Sequence, residues 1–459
     1  MQSPIKRPVL GGRSSGEAPG PSARWLLVAG YFAAISAPLL VALLLDGGAD
    51  ASPARKLGKA CALLALPILA FQPVLAARLR LLDRAFGLDN VYLFHKIMAM
   101  VAGSLLIAHP LVLASGGRPP WLLLTSFAWP WYINLAKVAL VALLVTIGTS
   151  LLYKELHLRY ERWRELHNSL AVLIVSIAFV HSLSVGTDLQ HWAMRGIWFI
   201  LAAVAAVSYG FHKIVWPRRR ERRPFRIAQV ERESHNAWTL RIAPPEGEQP
   251  FTYLPGQFQF LTFLDSKGLP REEHPFTISS SPTSAGYHAA TIKESGDFTA
   301  LIGGARAGDR IGVQGPFGHF SYALHPQERD LVFIAGGVGI TPFMAMLRHM
   351  RDSGAEVSVV LICANRHERD ILFRQELDEI AAGARLQLKV VHVLSAPDEH
   401  WTGEEGHVDV PMIRRHVASL GPDKTFYICG PPGMTAALIG DLVRAGVRSA
   451  KIRTERFDL

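Results

Sequence analysis

Cysteine is almost absent from this chain. Only Cys61, Cys363 and Cys429 occur in 459 residues, scattered and without CxxC spacing. That supply cannot furnish the four thiolates of an iron–sulfur cluster or of an all-cysteine zinc site, and it offers no disulfide framework. No basic recognition motif accompanies the formal net charge of +10, so nucleic acid is not an expected partner. No unit recurs with a solenoid period. The first 23 residues are polar, basic and rich in Gly, Pro and Ser. They lack the short apolar core and small-residue cleavage site of a secretion signal, so the first apolar stretch is expected to stay in the mature protein.

What is abundant is apolar sequence, concentrated before residue 216. Six stretches, near 24–45, 57–77, 91–114, 135–153, 167–185 and 192–214, are long enough to cross a hydrocarbon core of roughly 30 Å as helices. From 224 onward polar and apolar positions alternate as in a soluble α/β chain. Positive charge is unevenly shared among the connections. The N-terminal tail carries Lys6, Arg7, Arg13 and Arg24, and the second connection Arg78, Arg80 and Arg84. The fourth holds Lys154, Arg159, Arg162 and Arg164, and "WPRRRERRP" follows the last stretch. The third and fifth connections carry almost none, while Arg55, Lys56 and Lys59 in the first are the exception. This bias predicts both termini in the cytoplasm, in a plasma or bacterial inner membrane whose anionic lipid headgroups face the basic side.

Two of the apolar stretches share an unusual feature. "HKIMAMVAGSLLIAH" begins at His95 and ends at His109; "HNSLAVLIVSIAFVH" begins at His167 and ends at His181. Fourteen residues of α-helix rise roughly 21 Å and turn through almost four turns. Each helix therefore shows two histidines on one face, one near each side of the membrane. Both helices run outward, so His95 is expected level with His167 and His109 level with His181. A pair of neutral imidazoles is the axial ligand set of a low-spin b-type haem, and ionisable residues inside membranes mark function by default. The competing reading is that each histidine bonds a neighbouring helix and merely packs. The double pair at matched depth favours two stacked haems. His157, His191 and His212 lie in a charged loop or near the ends of the sixth stretch and read as interfacial residues.

The expected organisation is a disordered cytoplasmic tail at 1–23, a six-helix transmembrane bundle at 24–216 and a basic linker at 217–223. An antiparallel β-barrel follows at 224–325 and a parallel-sheet α/β domain at 326–459. The barrel is read from "FRIAQVER", "AWTLRIAP", "QFQFLTFL", "HPFTISS" and "YHAATIKES", separated by Gly- and Pro-rich turns. The α/β domain opens with "DLVFIAGGVGITPFMAMLRHM", a strand, a glycine-rich turn and a helix. Thr341 is expected as N-cap with Pro342 at the first helical position. The small residues would let the backbone approach a pyrophosphate resting on the helix N-terminus, although Pro342 stands where a third glycine is usual.

In order along the chain, "HPFTISSSP", "GDFT", "GPFG", "GGVGITPF" and "CGPPGM" resemble the ferredoxin-reductase-like flavoproteins. Combined with the histidine helices, the chain from residue 24 onward resembles the ferric reductase and NADPH oxidase superfamily. The resemblance implies that His274, Pro275, Phe276 and Thr277 line a flavin, Phe276 against the ring system and Thr277 near its reactive nitrogen, with Ser279 and Ser280 continuing the segment. Gly296, Asp297, Phe298 and Thr299 would hold the FAD diphosphate. Gly336, Gly337, Val338, Gly339, Ile340 and Thr341 would take the nucleotide pyrophosphate. Cys429, Gly430 and Pro431 would flank the nicotinamide, with Cys429 positioning rather than attacking. Phe457 would cover the flavin, although two residues follow it where many relatives end. The bland alternatives are plain strand roles for Phe276 and Phe457 and a buried hydrophobe at Cys429.

The function this implies is transfer of electrons from cytoplasmic NAD(P)H through FAD and two b-type haems to an outside acceptor. The rivals are an oxygen-reducing oxidase that makes superoxide, and a haem-free anchored flavin reductase or interaction protein. Arg366, after "VSVVLICAN", is placed to meet a ribose 2′-phosphate, which favours NADPH with NADH open. The outer connection "ASGGRPPWLLLTSFAWPWYIN" is rich in Trp and no outer connection holds cysteine, so no disulfide-tied cap covers the outer haem. That favours a bulky ferric chelate over oxygen. Arg55, Lys56 and Lys59 would attract anionic chelates, hold haem propionates, or form a solvated charge cluster.

Overall fold

A computed structural model describes residues 20–45, 52–115, 125–185, 188–384 and 386–455. The chain divides into two compact units, one spanning Ala18–Trp216 and one containing Pro217–Leu459.

The first unit is helical: α1 (Pro21–Leu45), α2 (Pro53–Ala76), a short α3 (Arg80–Phe86), α4 (Leu88–Ser115), α5 (Trp131–Leu152), α6 (Tyr160–Val185) and α7 (Trp192–Gly210). Among the described residues six helical segments are long and apolar enough to cross a membrane, the sixth running from Trp192 to Arg222. Their outward faces leave Leu43, Leu44, Val141 and Ile200 exposed, which water would not tolerate over so large an area. Inside, Ile35, Ile68, Met98, Ala142, Leu143 and Ile174 form a shared core. Small residues set the helix spacing, as membrane packing requires. A Cβ on Gly103 would stand 2.9 Å from Ile147 Cδ1, so α4 and α5 touch there only because Gly103 lacks one.

The sixth span does not stop at "WPRRR" as the sequence suggested. A π-helical turn at Phe211–Val215 leads into α8 (Trp216–Arg222). Proline lacks an amide hydrogen and is tolerated in a first helical turn, and Pro217 sits in that position after the wider turn has reset the ladder. The basic run is partly neutralised within the second unit: Arg220 meets Glu273 at 2.5 Å and Arg223 meets Glu248 at 3.1 Å.

The second unit holds two sheets. The first is antiparallel, in the order β4-β3-β6-β1-β2-β5. Its strands are β1 (Phe225–Ser234), β2 (Ala237–Ala243), β3 (Phe258–Phe263), β4 (Glu273–Thr277), β5 (His288–Lys293) and β6 (Arg310–Phe317). Ile278, just past β4, bridges to Ala290 of β5 and brings the two sheet edges together. Ile227, Leu240, Ile242, Leu261, Phe263 and Ile292 fill the interior. The second sheet runs β10-β9-β8-β7-β11-β12, and each strand lies parallel to its neighbours. Its central strands are β7 (Asp330–Gly336), β8 (Ser358–Asn365) and β11 (Lys424–Cys429), flanked by β9 (Gln387–Leu394), β10 (Glu404–Glu405) and β12 (Ile452–Thr454). Helices α9 (Thr341–Ser353), α10 (Arg374–Ala382), α11 (Val410–His416) and α12 (Pro432–Arg444) complete it. Two apolar cores, one on each sheet face, leave β7 and β11 buried on both sides, as crossover helices demand of a parallel sheet.

Candidate functional site

In the membrane unit, α4 carries His95 and His109, and α6 carries His167 and His181. Each histidine helix packs chiefly on a different neighbour, α4 on α2 and α6 on α5. His95 lies within electrostatic reach of His167, and His109 of His181. The outer pair of rings meets main-chain groups. His109 Nδ1 is 2.8 Å from Gly58 O, and His181 Nδ1 is 2.9 Å from Tyr132 O. A carbonyl oxygen only accepts, so Nδ1 carries the hydrogen in both neutral rings and Nε2 presents a bare lone pair. That is the tautomer an iron ligand needs, fixed by an outer partner as metal-bound histidines usually are.

Gly58 explains how its carbonyl comes so near. A Cβ there would meet Leu113 Cγ and Cδ2 at 2.8 Å, so glycine allows α2 to lie directly against α4. His167 Nδ1 stands 3.3 Å from Ser150 Oγ, with the Trp163 ring 5.4 Å away. His95 is buried with its ring beside the Gln72 backbone. Three of the four imidazoles are oriented through Nδ1, which leaves Nε2 facing away from those partners and fits a bis-imidazole metal group. The three other histidines of this unit are used differently. His191 caps α7 by accepting from Ala193 N at 3.2 Å, while His157 adopts a left-handed backbone in the exposed turn before α6 and His212 lies in the π turn.

The second unit offers two adjoining half-sites. In the parallel sheet, chain order reverses between β7 and β11, and ligands of such sheets bind outside the strand ends at that reversal. Gly336 ends β7, a 3₁₀ turn covers Gly337–Ile340, and α9 begins at Thr341. Thr341 is thus the first helical residue and not the N-cap. The preceding turn has already started the helical path, and Thr341 Oγ1 donates back to Val338 O at 3.0 Å. The facing turn is Cys429–Pro431. A Cβ on Gly339 would lie 2.2 Å from Cys429 O, and one on Gly336 would lie 2.6 Å from Pro431 Cδ. These glycines let the two turns meet. Gly337 is different: its φ of +54° is left-handed and nothing lies within 4 Å of where a Cβ would stand. That opening fits a phosphate-bearing ligand, with Val338 beside it. Cys429 is fully buried, and burial pushes its thiol well above the ordinary range, with Glu455 adding to the shift. Arg366 is exposed just past β8, whose Ala364 pairs with Gly336, so it stands beside the glycine turn.

On the barrel, β4 presents Pro275 and Phe276 half-buried, with Phe276 opposite Gln259 of β3. His274 stacks on Phe298 at 4.0 Å and lies 3.2 Å from Glu272. Thr277 is buried. Past it, the hydroxyls face inward: Ser279 Oγ is 2.9 Å from Thr291 Oγ1, and Ser280 Oγ is 2.8 Å from Tyr253 OH and accepts from Ala289 N. They lock the segment onto β5. Burial pushes the Tyr253 phenol up. Gly296 and Asp297 are exposed, while Phe298 is buried in the barrel core. Thr299 Oγ1 accepts from Gly296 N at 2.9 Å and so shapes the turn. Phe457 lies outside the described residues.

Sequence reasoning missed Arg348. It projects from α9, donates to Ser279 O at 2.6 Å, and grips Glu376 through Nε at 2.8 Å. Burial opposes its charge, but Glu376 holds the guanidinium above its ordinary value. The nucleotide helix is thereby tied to the flavin-type strand. Nothing local distinguishes Arg348 from any arginine on an amphipathic helix. Gly58, Tyr132 and Ser150 were missed for the same reason.

Comparison with known proteins agrees with these two halves. The family model "Ferric reductase like transmembrane component" matches residues 60–178, "Oxidoreductase FAD-binding domain" matches 224–322, and "Oxidoreductase NAD-binding domain" matches 333–439. The chain is 30% identical over 237 residues to NADH-cytochrome b5 reductase 1 of Dictyostelium discoideum, covering 51% of this chain and 82% of that protein. The same-named protein of Cryptococcus neoformans var. neoformans serotype D is 31% identical over 237 residues, covering 49% and 79%. The solved cytochrome b5 reductase domain of Ulva prolifera nitrate reductase shares 22% identity with a TM-score of 0.46, over 50% of this chain and 96% of that one. These domains define an NAD(P)H-dependent oxidoreductase with a membrane component and an FAD-binding module. The chain belongs to the ferric reductase and NADPH oxidase superfamily.

Proposed function

We propose that the chain takes electrons from cytoplasmic NADPH and delivers them across the membrane to ferric iron held in a chelate outside. His95 with His167 and His109 with His181 would hold two b-type haems in series, and the β4 segment His274–Thr277 would hold the FAD ring. FAD, when bound, accepts two electrons together and releases them singly, which haem iron requires. Each NADPH gives NADP⁺, one proton and two electrons, and the two electrons convert two ferric ions to ferrous.

The protein's own part is orientation. Gly58 O and Tyr132 O set the outer imidazoles, Arg348 ties the nucleotide helix to the flavin strand, and Arg366 reads the 2′-phosphate. Both termini and the nucleotide module belong on the cytoplasmic side, where the Lys and Arg bias places them. The relatives are named for NADH, which makes NADH the competing nucleotide.

One observation carries the reading: His109 and His181, far apart in sequence, both commit Nδ1 to a main-chain carbonyl and so keep Nε2 for a metal. The test supplies NADPH and a ferric chelate to the purified chain, with and without oxygen. Ferrous product should form without oxygen and survive superoxide dismutase, and the reduced-minus-oxidised spectrum should show b-type bands. Iron reduction abolished by the dismutase would make the chain an oxygen-reducing oxidase. A spectrum without haem bands would leave an anchored flavin reductase.

A further inference from the structure

A chain of hydrogen bonds runs along the barrel from Ser279 to Glu233, turned away from the apolar core. In β5, Ala290 and Ile292 belong to that core, so Thr291 between them points the other way. Thr291 pairs with Thr239 of β2, whose neighbour Leu240 is again a core residue. Thr239 Oγ1 is 2.7 Å from Thr291 Oγ1, and Thr291 Oγ1 is 2.9 Å from Ser279 Oγ. All three residues are buried. The chain ends at Glu233, whose Oε1 accepts from Thr239 Oγ1 at 2.7 Å. Arg232 pairs with Trp238 and Ser234 with Ala237, which leaves Glu233 between them as the extra residue of a β-bulge. Bulges re-aim side chains, and this one turns a carboxylate onto Thr239.

The direction of the bonds follows from the groups. An ionised carboxylate only accepts, so Thr239 gives its single hydrogen to Glu233. Thr239 must then accept from Thr291, and Thr291 from Ser279. Every hydrogen points toward Glu233, and the Ser279 oxygen can accept one more at the far end. That end belongs to the β4 segment. Ser279 follows Thr277 by two residues, and the bridge of Ile278 to Ala290 keeps the chain extended between them, so both share a face. At the other end Glu233 is faced by Arg348 of α9, Glu376 of α10 and Glu231 of β1. Burial pushes the Glu233 carboxyl up, the Thr239 bond and Arg348 oppose this, and Glu231 and Glu376 add to the rise. The net direction is up, so Glu233 holds a proton more readily than a surface carboxylate.

We propose that this chain of hydroxyls carries a proton away from the flavin, with Glu233 as its acceptor. The proposal rests on the placement of FAD at β4 in the proposed function and not on the haems or on iron. A hydride from NADPH brings two electrons and one proton, and one-electron carriers take only the electrons. One proton per hydride must therefore leave the pocket. Ser279 Oγ takes it on a lone pair and passes its own hydrogen to Thr291. Thr291 passes one to Thr239, and Thr239 passes one to the Glu233 carboxylate. Each hydroxyl ends with one hydrogen and Glu233 becomes neutral. Its half-buried carboxyl then releases the proton to water.

The experiment follows the full chain with FAD bound, by stopped flow without oxygen. NADPH first bleaches the flavin, and ferricyanide, a one-electron acceptor, then oxidises it. The ratio of oxidation rate to bleaching rate should fall about a hundredfold in Glu233→Gln and in Thr291→Val, the low end of what a positioned proton carrier contributes. Thr291→Ser, which keeps the hydroxyl, should recover most of it. Wild-type oxidation should slow as acid neutralises Glu233, and that acid limb should be missing from Glu233→Gln and present in Glu233→Asp. Time-resolved infrared difference spectra should show a protonated carboxyl band that appears with flavin oxidation and is absent from Glu233→Gln. A wild-type ratio in Glu233→Gln and Thr291→Val overturns the proposal. Variants that shed FAD yet keep the acid limb assign the hydrogen bonds to packing and overturn it as well. A wild-type chain that binds no FAD, or whose flavin NADPH does not bleach, removes the proposed function beneath it.

Discussion

Gly58 is the sharpest place to perturb the outer histidine pair without touching a ligand. A Cβ there would stand 2.8 Å from both Leu113 Cγ and Cδ2, about 0.6 Å short of the 3.4 Å where ordinary contact begins. Leu113 can yield part of that distance by rotating, so Gly58→Ala is the mild form and Gly58→Val the severe one. Whatever Leu113 does not yield must come from separating α2 and α4. The bond from His109 Nδ1 to Gly58 O starts at 2.8 Å. Lengthened by 0.6 Å it leaves the range of useful N–H···O bonds, which ends near ~3.2 Å. One such bond contributes about 1 kcal/mol. Loss of an outer partner of a metal-bound histidine typically weakens metal affinity about 10- to 100-fold. Gly58→Val should therefore shed one haem of two during purification, and Gly58→Ala should shed it partially. The assay is pyridine haemochrome content per chain, with bound FAD as the internal reference. Full haem content in Gly58→Val, after dilution and repeated washing, would refute the claim that this carbonyl orients a ligand.

Three further outcomes are expected. Replacing His109 or His181 with Leu should remove one haem while NADPH still bleaches the flavin, and replacing His95 or His167 should stop outward electron flow; full haem in all four variants sinks the ligand assignment. Arg366→Ala should lower the NADPH-to-NADH ratio of kcat/KM by about tenfold, the value of one charge-assisted phosphate contact, and an unchanged ratio assigns Arg366 to plain solvent exposure. His288 is fully buried beside Phe251 and Phe225, neither ring nitrogen has a partner, and burial pushes its pKa down to about 3. The folded barrel keeps His288 neutral while the unfolded chain binds a proton below its ordinary pKa of about 6.5. Stability should thus be unaffected above that pH and fall by about 1.4 kcal/mol per unit between it and pH 3. The temperature of FAD release from the full chain, followed by flavin fluorescence, should drop less steeply with acid in His288→Phe than in wild type. Equal slopes would show that His288 does not titrate on unfolding.

Much of the architecture was legible because its signals are local. A membrane span needs a long apolar run, and the six runs read from the sequence meet helices whose ends differ by a few residues, apart from the sixth. Strand alternation and turn composition located all five quoted barrel strands, and "GGVGITPF" located the turn after β7. The fourteen-residue histidine spacing is local too, since one helix is enough to bring both rings to one face. The misjudged points were also local in origin but decided at a distance. Thr341 was read as a cap because a threonine before a proline usually is one, yet the 3₁₀ turn at Gly337–Ile340 had already begun the helix. "WPRRRERRP" was read as a basic linker after the sixth helix, yet helix continues to Arg222, and Arg220 and Arg223 find Glu273 and Glu248.

By itself, then, the sequence determined the number of spans, the order of the domains, and which histidines share a helical face. Tertiary structure alone decided what each polar group meets. Gly58 O reaches His109 across 51 residues, Tyr132 O reaches His181 across 49, and Arg348 reaches Ser279 O across 69. No periodicity encodes such pairs, because a main-chain carbonyl is the same in every residue. Which one lands near a given imidazole depends on where two helices can approach, and a missing Cβ 51 positions away permits that approach at Gly58.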